Sequence, residues 1–548
     1  MDVPSSIQSF VNGLSSVIEV VDGWLWGWPL LILLGACHIF LTLRLKFIQR
    51  YIPLGIRLSL VPDKSEKGEI SQFGALSIAL AATIGTGNII GVSTAIVKGG
   101  PGAVFWCWLF GVLGIATKYA EGVASVKFRI HDADGKSHGG PMYAMERGMK
   151  CKWLAVLFAV FTIGACFGIG NMVQSNAVSK NAVDTFSCLQ PWHVGLAEAV
   201  LIGVVVFGGL KWISRLCETL VPFMALLYVA GCLLVIASCH SYFGPAVKLI
   251  LADAFSAKAV GGGFLGTMMM MALRFGVARG LFSNESGLGS APIVAANAKT
   301  LNPVRQALIS STGTFWDTVI VCAMTGLAVV SSGLAARDDA AVLPPDAPAA
   351  VVSMVSVSAA DAEAVAEEVV AVAAAPEDDA ADALAVFRKH AAAAAAAPAT
   401  AGRVEYWGEF EAQHLIQGAF AHIPRAGKYV LLISLIIFAY TTILGWYCYG
   451  VQAIHYLGGR IGMMIFRPLF IAGIFFGAVF PLNMVWNFSD IANGLMAIPN
   501  IISLFALSGV IAAETSKYLW HGDIGTPDPE CVGGDNSDSV PDFTQLSR

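Results

Sequence analysis

Repeated apolar runs of roughly 20 residues, parted by short cationic loops, constrain this chain more than any other feature, because each run matches the span of a bilayer. Eleven can be marked, at 24–43, 73–96, 103–125, 153–177, 192–210, 217–238, 264–282, 306–330, 429–451, 468–484 and 491–513. Inside lipid a backbone must satisfy its own polar groups, so runs of this length read as helices. Of the 548 residues, 56% are hydrophobic and only 13% charged, where a soluble domain carries charge on about a quarter. The expected fold is therefore an all-α polytopic membrane protein rather than a string of soluble domains.

The loops orient it. The first loop carries Arg44, Lys46, Arg50, Arg57, Lys64 and Lys67, and a cationic loop stays in the cytoplasm. Lys127, Arg129, Lys136, Arg147, Lys150 and Lys152, then Lys211 with Arg215, Lys299 with Arg305, and Arg460 with Arg467, all fall on that same side. The N-terminus is then expected outside and the C-terminus in the cytoplasm of an inner (plasma) membrane. Residues 1–22 lack the positive start of a cleaved signal peptide, so the first helix is expected to stay. The Gly, Pro, Asp and Ser of the 516–548 tail predict disorder and no site. The Ala-rich, acidic stretch at 331–402 reads as an outer low-complexity insertion.

Several functions are excluded early. A formal net charge of −5 offers no basic stripe for nucleic acid. Eleven Cys lie scattered, without CxxC pairs or zinc spacing, and His38 and His455 have no neighbours that complete a metal site or triad. No organic cofactor and no enzyme chemistry are expected.

The second run holds Thr83-Ile84-Gly85-Thr86-Gly87-Asn88-Ile89-Ile90-Gly91, three glycines and three polar residues in the middle of a membrane helix. A membrane helix opens only where protein, ion or substrate can complete the freed groups. A second interruption is expected at Arg274-Phe275-Gly276-Val277-Ala278-Arg279-Gly280 in the seventh run. The two runs lie five helices apart, so the second five-helix unit enters from the opposite side, an inverted repeat with its site at the centre. The competing reading is that these glycines only allow close helix crossing, as the Gly87 to Gly91 spacing does.

Polar partners recur at depth. Thr441 and Thr442 in the ninth run bring hydroxyls that suit a hard cation, or else bond back to their own helix. Asn171 and Gln174 are site groups or interhelical bonds. Lys118, Glu121, Glu285 and Asp317 are expected to form ion pairs that fix helices. A channel is disfavoured, since two broken helices describe a closed site rather than a lined pore.

At these residues the sequence resembles the alanine/glycine:cation symporter family, of the amino acid–polyamine–cation superfamily with its LeuT-like fold. The matching strings include Gly85-Thr86-Gly87-Asn88-Ile89, Gly99-Gly100-Pro101-Gly102-Ala103, Ala116-Thr117-Lys118-Tyr119-Ala120-Glu121, Ser283-Asn284-Glu285-Ser286-Gly287 and Thr442-Ile443-Leu444-Gly445-Trp446. The resemblance implies eleven transmembrane helices, a 5+5 inverted repeat plus one extra N-terminal helix. The chain then divides into 1–70, the first repeat at 71–240, the start of the second at 241–330, the insertion and outer loop at 331–427, the remainder at 428–515 and the tail at 516–548. It implies sodium symport of alanine, glycine or a similar small amino acid, with proton coupling or a channel as alternatives. Thr86, Gly87 and Asn88 would hold the substrate carboxylate, and carbonyls freed near Arg274 and Phe275 its ammonium. Gln174, Phe275, Gly276 and Trp446 would close the pocket. By similarity to LeuT-like sites, the carbonyls of Ala81 and Ile84 and the hydroxyls of Thr441 and Thr442 would coordinate Na+.

Overall fold

Backbone hydrogen bonding and lipid exposure together dictate the architecture. The structure is a computed structural model that describes residues 21, 23, 25–61, 68–132, 136–186, 188–255, 265–341, 407, 412–480 and 482–532. Among these, helices account for nearly everything, and the one sheet is an antiparallel hairpin of Ile130–His131 with Ser137–His138. Six helices are long and apolar enough to cross a membrane: Gly102–Lys127, Lys152–Thr185, Leu210–Ser238, Pro303–Ala336, Gly427–Val479 and Ser489–Trp520. Two bent pairs raise the number to eight, Pro29–Arg44 with Ile48–Ser59 (65°) and Gln72–Thr83 with Gly87–Gly99 (51°).

The polarity of the molecule is inverted relative to a soluble protein. On Pro191–Phe207, Leu196, Val200, Val204 and Phe207 recur at three- and four-residue spacing and are more than half exposed, while Ala199, Ile202 and Val206 are buried. Thr86, Asn88, Thr117, Asn171 and Asp317 are instead fully enclosed. Such an arrangement is stable only where hydrocarbon replaces water outside.

The ninth and tenth apolar runs appear as one 53-residue helix, Gly427–Val479. Straight, it would reach about 80 Å, far beyond a ~30 Å core. It is divided at Gly459, whose φ of 55° and ψ of −141° leave the helical region in a conformation that glycine adopts cheaply.

Three expectations need correction. The helix Ala323–Ala341 runs eleven residues past Val330, with Ser331 and Ser332 fully buried, so the insertion starts later than 331; its remainder, from 342, lies outside the described residues. The tail is ordered as far as residue 532. Its Asp528 N–H donates to Leu301 O (2.8 Å), Asn302 Nδ2 donates to Ile524 O (2.9 Å) and Thr526 O (3.0 Å), and Lys127 pairs with Asp528 (3.7 Å). Polar composition suggested disorder, but Lys127 and Asn302 give that carboxylate and those carbonyls fixed partners. The third correction concerns the seventh span and belongs with the site.

Candidate functional site

Ser71 starts the inner half of the second span by accepting the Gly74 N–H (2.8 Å), and the helix Gln72–Thr83 ends at Ile84, whose ψ of 93° is extended. In an unbroken helix the amides of Gly85 and Thr86 would bond the carbonyls of Ala81 and Ala82. Here Gly85 N–H donates to Asn88 Oδ1 (2.8 Å) and Thr86 N–H to Gln174 Oε1 (3.3 Å). The inner half-helix is left with released carbonyls at its C-terminus. The outer half, Gly87–Gly99, presents its N-terminus to the middle of the bundle.

Elements from elsewhere converge on this opening. Thr442 Oγ1 lies 3.4 Å from Ile84 O, and a Cβ on Gly85 would stand 2.6 Å from that hydroxyl and 3.3 Å from Gln174 Oε1. Gly445 lets the ninth span ride directly on Ala82, where a Cβ would meet the Ala82 nitrogen at 2.7 Å. In the fourth span a π-helical turn, Gly168–Met172, widens the helix and sets Gln174 at the break, with Nε2 bonded to Ile169 O (3.0 Å). π-turns of this kind cluster at functional sites. Trp446 packs over Gly170, and Cys166 Sγ donates to its carbonyl (3.3 Å). Thr86 Oγ1 and Trp446 Nε1 are buried with no hydrogen-bond partner among the described residues. Buried polar atoms left without partners are what a polar ligand would satisfy.

Thr86, Gly87, Asn88, Gln174, Trp446, Ile84 and Thr442 are thus gathered, with Ala81 one turn below. Thr441 turns elsewhere. Its hydroxyl donates to its own helix carbonyls at Ile437 (2.9 Å) or Phe438 (3.0 Å) and faces Met224 Sδ, the back-bonded alternative left open by the sequence. Asn171 donates to Phe470 O (2.7 Å), an interhelical bond.

The seventh span is not interrupted at Arg274–Gly280, where a break was expected. Leu265–Asn284 is one continuous helix, so no carbonyls are freed at Arg274 or Phe275. Gly276 and Gly280 serve close crossing instead: Cβ atoms there would meet Ala103 O at 2.4 Å and Cys107 Sγ at 3.2 Å on the third span. Phe275 lies beside Lys98, 5.6 Å from ring centroid to Nζ. The helix gives way ten residues later, where Glu285 (φ 55°), Gly287 (φ 100°) and Gly289 (φ 79°) turn the chain before Ala291–Ala295. This is the interruption that meets the first one, since a Cβ on Gly87 would lie 3.0 Å from the Phe282 ring and 3.6 Å from the Ser283 Cα.

Asp317 is the group at the opening that the sequence reading underrated. A π-helical stretch, Phe315–Cys322, turns it inward, where Oδ1 accepts from Asn88 Nδ2 (2.7 Å) and Oδ2 from Ser283 Oγ (2.8 Å) and Thr318 Oγ1 (2.7 Å). Asn88 therefore joins the first break to a fixed carboxylate and, through Ser283, to the second. Lys118 forms no ion pair among the described residues, contrary to expectation; Arg279 pairs with Asp490 instead (3.0 Å).

Apolar outside, polar within, and two helices opened against each other describe a membrane transporter with a central enclosed site, not an enzyme. A family model described as the sodium:alanine symporter family matches residues 11–375 and 358–530. The chain belongs to that family and is a sodium-coupled amino acid symporter. It is 39% identical over 510 residues to the sodium/alanine symporter AgcS of Methanococcus maripaludis, covering 92% of this chain and 97% of the relative. It is 41% identical to an uncharacterized transporter of Haemophilus influenzae (92% and 96% covered), and 31% to a probable sodium/glutamine symporter GlnT of Bacillus subtilis (92% and 91%). Among solved structures, MhsT in complex with L-phenylalanine matches with a TM-score of 0.50 and 13% identity, covering 83% of this chain and 94% of that one. This likeness concerns the fold alone, which is the LeuT fold.

Proposed function

We propose that the chain imports small neutral amino acids, alanine and glycine foremost, with sodium by alternating access. The observation that carries this reading is the paired interruption, 84–86 against 285–290, with Thr86 Oγ1 and Trp446 Nε1 left unpartnered beside it. The outer half-helix directs its positive dipole end inward, where a substrate carboxylate gains from it. In the seventh span, the carbonyls of Phe282 and Ser283 take the ammonium role first assigned to Arg274 and Phe275. Phe282, Gln174 and Trp446 surround the side-chain end, and so much buried bulk favours a methyl or a hydrogen.

Sodium is assigned to the carbonyls of Ala81 and Ile84 and the hydroxyl of Thr442. All three are oxygen donors, as a hard cation requires. Bound there, the ion would bridge the second and ninth spans, so that its occupancy and the substrate's are linked. Eleven crossings follow if Gly427–Val479 is two spans parted at Gly459, and if Pro191–Phe207 and Leu265–Asn284 each cross once. Loop cations then support an inner-membrane placement with N-terminus outside and C-terminus in the cytoplasm, and a 5+5 inverted repeat beginning at the second and seventh spans.

Equilibrium binding of labelled alanine, glycine, glutamine and phenylalanine to purified protein, with and without sodium, tests the reading. Alanine and glycine should bind only with sodium. Tight phenylalanine or glutamine binding with none for alanine would reject the assigned pocket.

A further inference from the structure

A second enclosed cluster lies at the interruption of the seventh span, and the symport reading gives its charged side chains no role. Lys118 and Glu121 sit one turn apart on the third span, 2% and 1% exposed, and Glu285, 1% exposed, occupies the left-handed position at the break. Lys118 Nζ and Glu121 Oε2 have no hydrogen-bond partner among the described residues. Lys118 acts electrostatically on Glu121, Glu285 and Asp317, yet among the described residues its Nζ hydrogen-bonds to none of them.

Donor counts decide which carboxyls keep their charge. Asp317 accepts three hydrogen bonds. Glu121 Oε1 also accepts three, from Gly287 N–H (2.9 Å), Gly289 N–H (3.0 Å) and Asn500 Nδ2 (2.7 Å). Each donated hydrogen bond lowers the cost of holding negative charge in a buried site. Among the described residues Glu285 accepts one hydroxyl, from Ser290. The remaining titratable groups around it, Cys166 on the fourth span and Tyr449 on the ninth, add no positive charge. A metal ion among these acids would meet the Lys118 ammonium, whereas a proton needs no cavity and no ligand shell.

We propose that Glu285 is a proton-binding site: in the closed arrangement it holds one exchangeable proton, released to cytoplasmic water when the 285–290 loop opens. On release the Glu285 O–H bond breaks, the proton goes to water and the carboxylate stays, hydrated. The sign follows from linkage. A closed state that binds the proton is favoured at low internal pH, and its advantage disappears as pH rises through the value at which Glu285 ionises. Opening is thus up to tenfold easier per unit of internal pH across that window, about 1.36 kcal/mol for one proton.

Infrared difference spectra of the purified protein test the site without transport. One component of the carbonyl band of protonated carboxylic acids should be lost in E285Q and retained in E121Q. A band unchanged in E285Q would overturn the proposal. Should E285Q not accumulate, S290A serves: losing the single donor to the carboxylate should raise the pH at which the band vanishes, and an unmoved midpoint would overturn it equally. The flux arm rests on the symport reading. With saturating sodium and alanine, wild-type proteoliposome uptake should fall as internal pH falls, while the uptake that E285Q retains should not vary with internal pH. Sodium-driven but pH-independent wild-type uptake overturns the proton site alone, and absent uptake at every pH refutes symport instead.

Discussion

Gly85→Ala is the sharpest perturbation of the central site, because it adds one methyl at the place where three elements meet. The new Cβ would stand 2.6 Å from Thr442 Oγ1 and 3.3 Å from Gln174 Oε1. To reach ordinary contact near 3.5 Å, the hydroxyl must withdraw by about 1 Å. Overpacking of that kind costs about 1–3 kcal/mol. Since Gly85 is not among the left-handed glycines, the cost is steric and falls on the Thr442–Ile84 oxygen pair. A loss of that size at the proposed sodium ligands should raise the half-saturating sodium concentration roughly 5- to 150-fold, and apparent alanine affinity should fall with it. The assay is initial alanine uptake against sodium concentration in proteoliposomes, with Thr442→Ala and the double variant alongside. Removing the Thr442 hydroxyl also removes the clash, so the double variant should be no worse than Thr442→Ala alone. Unchanged sodium activation in Gly85→Ala, or fully additive losses, would refute the reasoning.

Asn88→Ala strands the Gly85 amide and Asp317 Oδ1 in a buried site, each costing about 1–3 kcal/mol; uptake should drop more than roughly tenfold while the protein still reaches the membrane. Gly276→Val puts a side chain into Ala103 O and Trp106 on the third span. The expected result is a lower yield of folded protein, and normal yield with abolished uptake would return Gly276 to the pocket. Asn302→Ala removes the N-cap of Pro303–Thr314, where Oδ1 accepts from Arg305 N–H (2.9 Å), and both bonds to the tail. Losing the cap alone costs about 1 kcal/mol, so the melting temperature should fall and sodium activation should not change.

The first interruption was legible because Gly85, Thr86, Gly87 and Asn88 combine backbone freedom with side chains that can bond a freed amide, and Asn88 does so. Gln174, Thr442 and Trp446 could be paired with it because polar or bulky groups inside apolar runs need partners. The second interruption was misplaced because Gly276 and Gly280 carry the same small-residue signature as a break yet serve helix crossing. Its true position is marked by Glu285 and by glycines at alternate positions, 287 and 289, in a string that composition alone reads as a loop. Asp317 was taken for a structural ion-pair partner, since sequence does not show that a π-helical stretch turns it onto Asn88. Thr441 and Thr442 are adjacent and chemically alike; only the rotation of the helix separates the one facing Ile84 from the one facing Met224. The tail looked disordered because the partners that order it, Lys127, Arg129 and Asn302, lie hundreds of positions away.

The most direct test places purified protein in sealed vesicles loaded with potassium and dilutes them into sodium medium containing labelled alanine. Internal alanine should rise transiently above the outside concentration and decay as the sodium gradient collapses, with Thr442→Ala losing the overshoot. Equal, merely equilibrating uptake in sodium, potassium and choline media would contradict an ion-coupled zwitterion site at the opened helices.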